Sequence, residues 1–76
     1  MNVNSEDIRK IKPGAIGLFV CEDAPHMQTA ASLIGQVKRY GLPDGVVDYE
    51  YRKHFDEGNI ILIHALRDGE ERILNR

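Results

Sequence analysis

A helix is written into the middle of this chain more firmly than any other element, and the remaining residues must be folded around it. Met27, Ala30, Ala31, Leu33, Ile34, Val37 and Tyr40 recur at helical spacing and form one apolar arc. Both ends are marked. Glu22 and Asp23 can accept from free first-turn amides and suit the positive end of the helix dipole. Pro25 has no amide proton to leave unpaired. Lys38 and Arg39 suit the negative end, Gly41 suits a left-handed cap, and Pro43 stops continuation. The spacing therefore predicts a helix from about Ala24 to Tyr40.

The opposite arc of that helix carries Gln28, Thr29, Ser32, Gly35, Gln36 and Arg39. A solvated face usually carries Glu and Lys pairs. The chain has 12 acidic residues, yet none lies between Ala24 and Pro43. Amides, hydroxyls, a glycine and one arginine suit contact with a partner. Gln28, Ser32, Gly35, Gln36 and Arg39 are the candidate binding face. Lys38, with Arg9, Lys10 and Lys12 nearer the start, could supply phosphate contacts. An ordinary surface helix can also carry Gln and Ser.

Around the helix, alternation and turn residues predict strands. Ala15 to Cys21 is apolar on both sides, which suggests an interior strand. Val46 to Phe55 alternates: Val47, Tyr49, Tyr51 and Phe55 face a core, while Asp48, Glu50, Arg52 and His54 form the wet side. Asp56-Glu57-Gly58-Asn59 reads as a turn, which would set His64 opposite Tyr51. Ile60 to Arg67 reads as the most buried strand. Arg67-Asp68-Gly69-Glu70 has the signature of a two-residue type I′ hairpin, and Glu71 to Leu74 could return as a short edge strand. Ile8 to Lys12 could start a strand or a short turn of helix. The fold class is α+β: a small single domain, β-α-β-β with a possible short fourth strand, and one amphipathic helix packed on an antiparallel or mixed sheet. Residues 1–7 read as a flexible N-terminal segment, and 8–76 as the single domain.

Seventy-six residues make one domain. A chain of this length buries only roughly 60% of its unfolded surface, so its margin of stability is small. The net charge of −2 argues against a dedicated nucleic-acid binder, which is usually basic. The single Cys21 cannot form an internal disulfide, and the polar start resembles no signal peptide. Both point to a cytoplasmic location. The apolar run Ile60 to Ile63 is too short to span a bilayer, so no membrane partner is expected.

Residues that could carry chemistry have plainer readings beside them. Cys21 precedes a helix start, which can favour a thiolate, but Glu22 and Asp23 oppose the negative charge. It reads as a small buried hydrophobe. His26, His54 and His64 lack the paired spacing of a zinc site. His64 reads as a satisfied strand histidine and His54 as exposed. There is no triad, phosphate loop or cofactor box, so catalytic residues, metal ligands and cofactors are all assigned as none. The sequence thus supports a small non-enzymatic binding or regulatory module. It would act through protein–protein contact or self-association, as a homo-oligomer. The alternative is a nucleic-acid binder using the outward face of helix 24–40. A metal- or thiol-dependent enzyme is a third reading.

Overall fold

Five elements follow one another in the computed structural model: α1 (Ser5–Arg9), β1 (Ile16–Val20), α2 (Ala24–Tyr40), β2 (Asp48–His54) and β3 (Ile60–Leu66). The structure describes residues 3–22, 24–54 and 58–75, with only the backbone described at 24, 26, 27 and 28. The strands make one antiparallel sheet in the order β1-β3-β2. The fold is α+β, as the alternation and helical spacing imply.

β3 takes the centre because its run Ile60-Ile61-Leu62-Ile63 offers apolar side chains to both faces. Ile61, Ile63 and Ala65 point to the inner face. There they join Tyr49 of β2, Ala30, Ile34 and Val37 of α2, and Ile8 and Ile11 from the first helix and the loop after it. Cys21 is buried in the same core. Gly17 keeps the inner face of β1 low: a Cβ there would stand 2.9 Å from Ile11 Cδ1 and 2.8 Å from the Phe19 ring. α2 has the bounds its spacing predicts and ends at Gly41, whose φ of 126° favours glycine.

Several expectations need correction. β1 is an edge strand, not an interior one, and the outer side chains Ile16, Leu18 and Val20 are exposed. Residues 3–7 of the segment expected to be flexible hold most of α1. Asn4 accepts from the Asp7 amide, the Asp7 carboxylate accepts from the Asn4 amide, and Val3 and Ile8 are buried. Tyr40 and Val47, assigned to the core, are exposed, because each lies at or beyond the end of the sheet-covering part of its segment. β2 pairs one residue differently from the expected turn: His64 stands opposite Glu50, not Tyr51. Phe55, Asp56 and Glu57 lie outside the described residues. Asp68 does not have the positive φ that a type I′ turn requires; only Gly69 does, at 78°. Residues 71–74 form no strand.

Candidate interaction surface

The inner sheet face is covered by helices, while much of the outer face is not. Ile16, Leu18 and Val20 of β1 expose 42%, 62% and 53% of their surface. Their cross-strand neighbours Leu62 and Ile60 on β3 are only half-buried. Ile73, in the segment that follows β3, adds another exposed apolar side chain. A run of exposed apolar side chains such as that of β1 and its β3 neighbours marks a contact surface more often than a solvated one.

The two edges of the sheet are treated differently. On β2 the Tyr49 amide donates to the Asp48 carboxylate at 2.8 Å, and the Tyr51 carbonyl accepts from Asn75 Nδ2 at 2.9 Å. Asp48, Arg52 and Lys53 add charge along that strand. Side-chain partners and charge both discourage further pairing at an edge. β1 has neither. In its register with β3, Ala65 donates to the Ala15 carbonyl and Cys21 donates to the Asn59 carbonyl. Residues 15, 17, 19 and 21 therefore turn their backbone groups toward β3. Ile16, Leu18 and Val20 turn theirs to the open edge. The sequence of β1, Ile-Gly-Leu-Phe-Val, offers no charge and no proline to blunt it.

A buried polar cluster closes one end of the outer face. His64, 1% exposed, places Nδ1 2.7 Å from Glu50 Oε2 and Nε2 3.2 Å from Glu70 Oε2. Both ring nitrogens face carboxylate oxygens, so His64 bridges the two acids. Glu50, 2% exposed, also accepts from the backbone amides of Ile73, Leu74 and Asn75 at 2.9, 3.1 and 3.2 Å. Burial pushes the Glu50 carboxyl up, but the His64 bond and the three amides outweigh it and hold the group below its ordinary 4.5. The Arg67 amide, followed by His64, holds Glu70 below its ordinary value as well. With both ring nitrogens engaged, His64 has no free position for general-base work. The cluster instead fastens the end of the chain over the sheet. Among the described residues, no group of three or more His, Cys, Asp or Glu is arranged to hold a metal ion.

The candidate helix face is laid out as its spacing implies: Ser32, Gly35, Gln36 and Arg39 are exposed, and no atom lies within 4 Å of a Cβ added at Gly35. The Gln28 side chain lies outside the described residues. Thr29 donates its hydroxyl to the Pro25 carbonyl at 3.1 Å, a local bond within the helix. The basic residues are not all available for phosphates. Lys38 pairs with Asp48 at 2.9 Å, and Lys10 lies 3.7 Å from Glu6. Arg9 and Lys12 are exposed.

Sequence reasoning missed Glu50 and the open edge. Glu50 was assigned to the wet side of its strand because it alternates with apolar residues. The available signal was His64, an ionisable residue inside Ile-Ile-Leu-Ile-His-Ala-Leu, which calls for a buried partner on the next strand. The reading of His64 as a satisfied histidine agrees with its two carboxylate contacts, whereas His54 is half-buried and not exposed. No helix among the described residues is long and apolar enough to cross a membrane. Comparison with protein families, with curated proteins and with solved structures finds no match.

Proposed function

We propose that this chain is a small non-enzymatic contact module that binds protein through the outer face and open β1 edge of its sheet. The observation that carries the reading is the coincidence at Ile16, Leu18 and Val20. These residues expose apolar side chains and also turn to the same edge backbone groups that have no partner among the described residues. A partner strand could take the backbone hydrogen bonds for affinity and the side chains for selectivity. This moves the contact surface from the helix face that the sequence favours to the other side of the sheet. The ion pair between Lys38 and Asp48 weakens the nucleic-acid reading of that helix face.

The test is amide-resolved NMR during titration with extended apolar peptides of alternating pattern. Shifts centred on the Ile16, Leu18 and Val20 amides, abolished by Leu18→Lys, support the reading. Shifts confined to Ser32, Gly35, Gln36 and Arg39, or no shifts, overturn it.

A further inference from the structure

We infer that the partner at the open β1 edge is a second copy of this chain, paired antiparallel through its own β1 about a two-fold axis at Leu18. The inference rests on the contact-module reading and names its occupant.

Three observations select this arrangement. The first is register. An added strand must meet the backbone groups of Ile16, Leu18 and Val20, which face the edge. For two identical strands, only a two-fold at Leu18 engages all three on both copies. Leu18 then faces Leu18 of the second copy, and Ile16 faces its Val20, each as a hydrogen-bonded pair.

The second is side-chain fit. Ile16, Leu18 and Val20 all lie on the outer face, so pairing joins two apolar patches into one stripe across a continuous sheet.

The third is charge. Antiparallel pairing in this register sets Glu22, exposed just past the end of β1, opposite Gly14 of the second copy. The Arg67 guanidinium lies over Gly14, with Nε 2.7 Å from where a Cβ would stand. Lys12 precedes Gly14 on the same end of the strand. Each carboxylate thus meets Arg67 of the other copy, whose Nε also stands 3.8 Å from Glu70 Oε1, whereas parallel pairing would set like ends together. One short strand pair makes a small interface, so the dimer is weak and forms with rising concentration.

The experiment is oxidative cross-linking of single-cysteine chains, with Cys21→Ala in the background. Opposed residues in a hydrogen-bonded antiparallel pair have Cα atoms about 5.5 Å apart, within disulfide reach. Leu18→Cys should therefore cross-link readily, Ile16→Cys alone should not, and Ile16→Cys mixed with Val20→Cys should give the heterodimer. In parallel, solution mass should rise with concentration for the native chain and stay monomeric for Leu18→Lys. Glu22→Lys should weaken the dimer, and adding Arg67→Glu should restore it. Equal, slow cross-linking at all positions with a monomeric native chain overturns the second copy. If that monomer still shows peptide-induced shifts at Ile16, Leu18 and Val20, the docking edge stands and only the second copy falls. A monomer without such shifts removes both.

Discussion

His64 and Glu50 stand opposite each other on the two neighbouring strands β3 and β2, with Nδ1 2.7 Å from Oε2 and both side chains out of water. The pair therefore behaves as a unit. His64→Leu leaves the buried Glu50 carboxylate without its imidazole partner and should cost roughly 3–5 kcal/mol. That is a large share of the about 5–15 kcal/mol that holds a small domain together. Glu50→Gln combined with His64→Leu should recover part of the loss, because the side-chain carbonyl can still accept from the amides of Ile73, Leu74 and Asn75 while no buried charge is stranded. Urea unfolding of both variants checks this, and equal losses in the single and double variants would refute it.

The same cluster sets an acid limit. Glu50 and Glu70 are held below their ordinary value of 4.5 in the folded chain, and Asp48 is held below its ordinary 3.8. The unfolded chain thus binds protons more readily at these groups. Their stabilising contribution is fully present above the unfolded values and is lost as pH falls through the lower folded ones. Unfolding free energy should decline below about pH 4.5, and Glu50→Gln should flatten that decline. Denaturant titrations at a series of acidic pH values provide the curve.

Glycine inside the long helix and glycine just past its end should respond in opposite senses. Gly35 is exposed in the helix interior, with open space where a Cβ would go. Gly35→Ala should stabilise by about 0.5–1 kcal/mol through helix propensity alone. Gly41 has a φ of 126°, and Gly41→Ala should destabilise by about 1 kcal/mol or more. Thermal unfolding of the two variants reads both signs. A Gly35→Ala variant that also changed solution mass would restore the helix face as a contact surface.

The Tyr49 hydroxyl is buried and has no hydrogen-bond partner among the described residues. Burial raises the phenol's pKa, and the charge of Arg9 only partly opposes it. Removing an unsatisfied hydroxyl while keeping the ring should be neutral or stabilising, by up to about 1 kcal/mol. Tyr49→Phe, measured by thermal unfolding, should therefore not lower the midpoint.

Asn4 caps α1 from a position whose side chain is free to solvent. Asn4→Ala should cost about 1 kcal/mol and loosen Val3 and Ile8 together. Amide exchange at Ile8 should quicken in that variant, while exchange at Ile61 changes only as far as global stability does.

The long helix was legible in the sequence because its evidence is local: a run of apolar repeats bounded by Pro25 and Gly41. α1 carried a local signal too, since Asn4 and Asp7 stand at capping-box spacing, but its shortness hid it. The open edge was not legible. Ile16, Leu18 and Val20 report that their surroundings suit apolar groups. They do not report whether this chain or another body supplies them. Glu50 was misplaced for a related reason. Alternation ranks residues by polarity, whereas burial of an acid depends on a histidine one strand away, in a register fixed by a single residue of turn length. Ser32, Gly35, Gln36 and Arg39 do lie on the outside of α2, since helical spacing alone decides which arc faces away from the core.

Glu50 also receives the amides of Ile73, Leu74 and Asn75 at one carboxylate. Where a fourth strand would protect only alternate amides, each by its own ladder bond, here one side chain protects all three. A single rotamer swing releases them together. In hydrogen exchange those three amides should behave as one opening unit with a shared rate, set by Glu50 and not by the unfolding of the sheet beneath it.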